Sequence, residues 1–175
     1  MKKLVMVFSI FILLSTPVIA TEQAQCPPTP KASADLERMK SLAGHWEGTT
    51  QDGDAKAQPA VVEYKVTSGG SAVIETLFPG TSHEMVSVYH DKNGKLAMTH
   101  YCMLGNQPEL ELKNSPDSKM QFDMSTDSQT ALSGQMHMHS LVLERSVSGE
   151  LVQSWTGMGA DGKMMHPTVI HLKKV

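Results

Sequence analysis

From His45 to the C-terminus, apolar and polar residues alternate at a period of two, segment after segment, and each segment ends in a cluster of Gly, Pro, Asp, Asn or Ser. Successive side chains of a strand point to opposite faces, so this alternation predicts strands with one face turned to a core. The segments are His45–Gln51, Ala60–Thr67, Ala72–Phe78, Met85–His90, Leu96–Cys102, Leu110–Lys113, Met120–Ser125, Gln135–Val147, Leu151–Met158 and Met164–Lys173. Between them stand turn formers such as Asp52-Gly53, Ser68-Gly69-Gly70, Pro79-Gly80, Asn93-Gly94 and Asp161-Gly162. Ahead of the strands, Ser33 offers an N-cap, and Asp35 and Glu37 place acid in a first turn. Leu36, Met39, Leu42 and Ala43 then fall at helical spacing before Gly44. One short helix followed by about ten strands, with no helical segment to serve as a crossover, predicts an all-β fold. Its form is an antiparallel up-and-down barrel, with a sandwich as the rival.

The N-terminus changes the picture of where such a barrel works. Residues 1–20, MKKLVMVFSIFILLSTPVIA, combine Lys2 and Lys3, an apolar stretch from Leu4 to Leu14, Pro17 and a terminal small residue. This is the pattern of a bacterial secretory signal peptide, with cleavage expected after Ala20 and a periplasmic or secreted product. Gln25 before Cys26 argues against lipid anchoring, and no second apolar run approaches the roughly 20 residues of a spanning helix. Residues 21–32 are polar and Pro-rich, a flexible leader, and residues 33–175 form one barrel domain. Losing Lys2 and Lys3 takes the formal net charge from −3 to −5, which argues against nucleic acid or an anionic membrane surface as partner. Export permits a disulfide between Cys26 and Cys102, and a free thiol with a mobile tail fits the sequence equally well.

The run from Glu84 to Pro108 carries the densest chemistry. Asp91-Lys92-Asn93-Gly94 predicts a hairpin turn between two alternating segments. On the second segment Leu96, Met98, His100 and Cys102 share the more apolar face, which puts an imidazole and a thiol on an interior wall. The partners of His100 depend on the loop. A three-residue loop groups Val86 and Val88 with it, and a two-residue loop groups Met85, Ser87 and Tyr89.

Leu42-Ala43-Gly44-His45-Trp46-Glu47-Gly48 after a short helix resembles the start of a calycin barrel, where the Trp of a Gly-x-Trp motif plugs one end. The chain from Leu36 onward, and its His100-Tyr101-Cys102 and Gly105-Asn106-Gln107-Pro108 segments above all, is similar to a lipocalin-like group of bacterial proteins whose domain has no assigned function. Gly44, Trp46 and Gly48 also resemble the opening of the nitrobindins. That likeness implies non-covalent haem ligated by a histidine near the last strand, here His166 or His171.

A barrel of about ten strands implies an interior able to hold a small hydrophobic ligand without covalent attachment. The candidate wall is Trp46, Ile74, Phe78, Met98, His100, Cys102, His139 and Trp155. Asn106 and Gln107 read as a brace of the connection leaving the hairpin. Two other chemistries compete. His100 and Cys102, with His137 and His139, are candidate ligands for a transition metal, and the many Met residues suit a soft ion. Catalysis would need a Cys102–His100 nucleophile or a Glu75/Glu84 acid–base pair. Side chains two apart on one strand lie parallel, and nothing in the sequence supplies an oxyanion hole, so binding is the better expectation.

Overall fold

The computed structural model describes residues 31–175. The expected signal peptide, most of the leader and Cys26 lie outside the described residues. Ten strands follow one another around a closed barrel: β1 (Gly44–Asp52), β2 (Gln58–Thr67), β3 (Ala72–Leu77), β4 (Met85–Lys92), β5 (Lys95–Tyr101), β6 (Glu109–Asn114), β7 (Lys119–Met124), β8 (His137–Arg145), β9 (Leu151–Met158) and β10 (Thr168–Lys174). Each pairs antiparallel with its sequence neighbour, and β10 closes onto β1 from Thr168↔Asp52 to Lys174↔Trp46. That seam makes the fold a barrel rather than a sandwich, compatible with a lipocalin-like architecture. A Cβ on Gly48 would lie 1.8 Å from the His171 carbonyl oxygen, so the seam needs glycine there.

The turn at Asn93-Gly94 decides the register of the functional hairpin. Lys92 pairs with Lys95, and Asn93 and Gly94 take φ of 53° and 77°, as a two-residue hairpin loop whose twist matches its strands requires. Ser87 therefore stands opposite His100, and Tyr89 opposite Met98.

Helix α1 (Ala34–Lys40) is capped by the Ser33 hydroxyl, which accepts from the Leu36 N–H, and it buries Leu36 and Met39 across one end of the barrel. Asp91 of the hairpin accepts from both the Ser33 N–H and its hydroxyl, at 2.7 and 2.6 Å. Arg38 reaches across the same end to the carbonyls of Ser115, Pro116 and Asp117. Beneath the helix Trp46 is fully buried and donates its indole N–H to the Leu42 carbonyl at 2.8 Å, with Leu96, Met120, Phe122, Leu143, Leu151 and Leu172 filling the space around it. A second helix, α2 (Thr126–Ala131), lies between β7 and β8. The sequence reading missed it because Thr126-Asp127-Ser128-Gln129-Thr130-Ala131 buries no residue and has no apolar stripe. It starts at Ser125, whose hydroxyl caps the Ser128 N–H.

Candidate functional site

At the end opposite α1 the barrel encloses a cavity of about 500 Å³. Its wall comes from the ends of strands that run toward that rim and the starts of strands that leave it: Thr50 and Asp52, Gln58 and Pro59, Leu77 and Phe78, Met85, His100, Met138, Trp155, Thr168 and Ile170. Thr81, His83 and Met103 are added by loops. Most of these side chains are apolar, and a volume of this size suits a drug-sized molecule.

A row of polar side chains lies inside the barrel below this space. Register places Tyr64 opposite Glu75, Glu75 opposite Ser87, and Ser87 opposite His100, so four neighbouring strands each present one polar group inward at the same level. Glu75 is fully buried. Its Oε1 accepts from the Tyr64 hydroxyl at 2.6 Å and from Gln153 Nε2 at 2.7 Å, and its Oε2 accepts from the Tyr89 hydroxyl at 2.9 Å. Gln153 Oε1 in turn accepts from Trp155 Nε1 at 2.9 Å. Burial lifts the Glu75 carboxyl above its ordinary value, and the hydrogen bonds from Tyr64, Tyr89, Ser87 and Gln153 oppose that lift. Burial also pushes the Tyr64 and Tyr89 phenols well up, with the Glu75 carboxylate adding to it, so both remain protonated donors.

His100 joins this row to the cavity. It is 1% exposed, its ring lies 4.7 Å from that of Trp155, and its Nδ1 sits 3.0 Å from Ser87 Oγ. The other ring nitrogen, Nε2, is buried and has no hydrogen-bond partner. Desolvation lowers its pKa to about 4, which leaves a neutral imidazole at physiological pH. A buried unpaired nitrogen costs about 1–3 kcal/mol, and a bound molecule can recover that cost.

The structure distributes the eight expected wall residues unevenly. Phe78, His100 and Trp155 line the cavity. Trp46 and Met98 belong to the solid core. Cys102 is buried at the end of β5, where its N–H donates to the Asn106 carbonyl, and the imidazole is bonded to Ser87 rather than to this thiol. Ile74 falls on the outer face, opposite Lys65 and Val88, because its neighbour Glu75 takes the inward position. Phe78 still reaches the cavity alongside Leu77 because it leaves the strand at a φ of 53°. The expectation of Ile74 on the inner wall thus fails by parity, since the strand buries the Glu75 carboxyl group that sits beside it, against the usual exposure of such groups. Glu84, its supposed partner, is exposed and accepts from the Gly80 N–H.

His139 is displaced by a bulge. The pairing of β8 with β9 shifts between Met138 and Ser140, so Met138 faces inward opposite Gly157 and lines the cavity, while His137 stands opposite Met158 on the outer side. His137 and His139 have ring centroids 5.7 Å apart, and His137 Nδ1 bonds to the Gln135 carbonyl at 2.7 Å. His139 is held below the ordinary imidazole value by burial and by His137. The pair does not join His100 and Cys102 in one cage, and among the described residues no three His, Cys, Asp or Glu side chains converge as a metal site requires. A haem ligated from the last strand does not fit either, since His171 is exposed between the buried Ile170 and Leu172 and His166 is exposed before β10. His83 and His100 are the two histidines that line the cavity, and of these His100 is buried, with its Nε2 unpaired. Asn106 and Gln107 brace their loop as expected, with Asn106 Nδ2 donating to the Met136 carbonyl at 2.8 Å and Gln107 Nε2 to that of Gly105 at 3.1 Å.

No protein-family model matches the chain, and no curated protein matches it. Among the described residues no helix is long and apolar enough to cross a membrane.

Proposed function

We propose that the protein is an exported carrier or sensor that binds a small, mainly apolar molecule non-covalently in the cavity, with His100 as its polar anchor. The observation that carries this reading is a largely apolar cavity of about 500 Å³ that counts among its lining residues the buried His100, whose Nε2 has no partner. Burying about 300 Å² of apolar ligand surface is worth about 7 kcal/mol, which before ordering costs corresponds to a dissociation constant of roughly 10 μM. One hydrogen bond adds about 1 kcal/mol and sets orientation. Met85, Met103 and Met138 give the wall an adaptable surface that fits several shapes. Export rests on the pattern of residues 1–20, and the mass of the protein recovered from cell fractions checks cleavage after Ala20.

A second reading is supported by the same nitrogen. Haem iron or a soft metal ion would take His100 Nε2 as a ligand, with the thioethers of Met85, Met103 and Met138 lining the same cavity. Such a group would supply redox or gas-binding chemistry that the chain itself lacks.

Native mass spectrometry of the mature protein, paired with its absorption spectrum, tests both readings. An organic mass that is lost in His100→Ala supports the carrier. A Soret band or a chelatable metal, lost in the same variant, replaces it with the second reading. A bare mass, together with failure of a panel of apolar fluorophores to bind, overturns both.

A further inference from the structure

We propose that the ligand of this cavity carries a cationic head, an ammonium group on an apolar body, held at the mouth by the Asp52 carboxylate. The proposal deepens the carrier reading and rests on it. The apolar cavity makes the site, and the charge at its rim decides which head group the site accepts.

Of the residues that line the cavity, Asp52 alone is an acid, and none is a lysine or an arginine. Register explains its place. Inward positions on β1 alternate as Trp46, Gly48, Thr50 and Asp52, so the last residue of the strand brings a carboxylate to the rim. Asp52 pairs with Thr168, and Thr168 with Trp155. The three therefore form one row across β1, β10 and β9, and all three line the cavity. The Thr168 hydroxyl donates to Asp52 Oδ1 at 3.3 Å. Among the described residues Asp52 forms no ion pair. A cation entering the mouth thus meets a carboxylate that no basic side chain neutralises.

The distribution of charge along the barrel points the same way. Among the described residues, only Lys56 and Lys163 of the lysines and arginines stand in the loops at the cavity end. Lys163 is matched locally by Asp161, whose Oδ2 lies 3.3 Å from its Nζ. Those loops and the end of β1 hold Asp52, Asp54, Glu84, Asp127 and Asp161, which makes the mouth negative. A field of this sign draws cations toward the opening and repels anions, over a distance of about 8 Å at physiological ionic strength.

Three head groups on one alkyl chain make the selection explicit. An ammonium gains the attraction of Asp52. A hydroxyl is indifferent to it. A carboxylate meets a like charge at the rim and finds no lysine or arginine on the wall. The chain and the space it fills are the same in each case, so the discrimination is electrostatic, and because Asp52 is exposed it amounts to a single surface ion pair.

Calorimetry of the mature protein with octylammonium, 1-octanol and octanoate tests the proposal. The comparison is made at pH 8, where an ordinary imidazole is neutral and an alkylammonium is charged. In about 10 mM salt, octylammonium is expected to bind about fivefold more tightly than the alcohol, and octanoate about fivefold more weakly. In about 0.5 M salt both gaps should shrink to about twofold. Asp52→Asn keeps the size of the side chain and an acceptor for Thr168, and it should bring ammonium and alcohol within about twofold at low salt, with its Tm reporting that the fold survives. Octylammonium binding no more tightly than the alcohol or octanoate, or a preference that persists unchanged in Asp52→Asn or in high salt, overturns the proposal and leaves the carrier reading standing. Failure of all three probes to bind overturns the carrier reading and this proposal together.

Discussion

The two ends of this barrel are made from the same ten strands and have opposite interiors. At the α1 end Trp46, Leu96 and Leu151 are packed solid under the helix, while at the other end Thr50, His100 and Trp155 on the same strands border open space. The inward side chains of β1 run Trp46, Gly48, Thr50, Asp52, and those of β9 run Leu151, Gln153, Trp155, Gly157. The β1 series goes from a large apolar residue to small and polar ones, and the β9 series starts on Leu151 and ends on a glycine, so single strands contribute to both the plug and the pocket. The connections differ in the same sense. Turns at the helix end occupy residues 68–71, 93–94, 115–118 and 146–150, and those at the cavity end occupy 53–57, 78–84, 102–108, 125–136 and 159–167. The exposed Met103, Leu104, Met136, Met164 and Met165 all lie in the second group, around the mouth. Packing stabilises one end, and the other keeps unsatisfied surface for a ligand.

The sharpest way to break this comparison is to hollow the solid end. Trp46→Ala is expected to cost about 4 kcal/mol, through lost burial and a cavity under α1, with a fall in Tm by thermal denaturation. A cost below about 1 kcal/mol would mean that the helix end is not the stabilising one.

Acid should probe the boundary between the halves. An unfolded imidazole takes up a proton near pH 6.5, whereas His100 in the fold does so only at about 4. The unfolded state therefore binds more protons in that window. The contribution is fully present above pH 6.5 and falls by about 3 kcal/mol as pH drops to 4. Glu75 acts in the opposite sense, because its raised value gives a contribution that is full at low pH and lost as pH rises through it. Comparing denaturant midpoints of the wild type and His100→Leu between pH 7 and 4 isolates the His100 part. The variant should lose the slope, and an unchanged slope would place its origin elsewhere.

Within the polar row, Tyr89→Phe keeps the ring and removes one donor to Glu75 Oε2. A loss of about 2 kcal/mol is expected, measured by urea unfolding, since a hydrogen bond to a buried carboxyl group is broken without a cavity. The smallest effect belongs to the pocket wall. Met138→Ala should cost under about 1 kcal/mol of stability, because the side chain already borders open space, yet weaken binding of an apolar fluorophore several-fold. A large stability loss there would show that the cavity end is packed after all.

Much of the scaffold was legible because period-two alternation and turn residues are local. All ten strands, the capped helix and the inward position of His100 follow from neighbours in the sequence. The site was legible only in part. In the run Ala72-Val73-Ile74-Glu75-Thr76-Leu77 both parities are acceptable on hydrophobicity, and the one adopted buries the Glu75 carboxyl group. It can do so because donors arrive from Tyr64, Tyr89 and Gln153 on three other strands. The period likewise put His139 inside, and a single bulge moved it out and brought Met138 in. α2 escaped notice because a helix of polar residues held by one cap leaves no periodic trace.

The sequence by itself determined an alternating all-β chain, its hairpin at Asn93-Gly94, its capped helix and a candidate histidine, since each depends on backbone preference and side-chain period over a few residues. Tertiary structure alone decided the closure of β1 on β10, the burial of Glu75, the unpaired Nε2 of His100 and the division into a filled and a hollow end. Those outcomes depend on which distant strands meet, and a buried polar group is tolerated only where distant partners satisfy it or a ligand can.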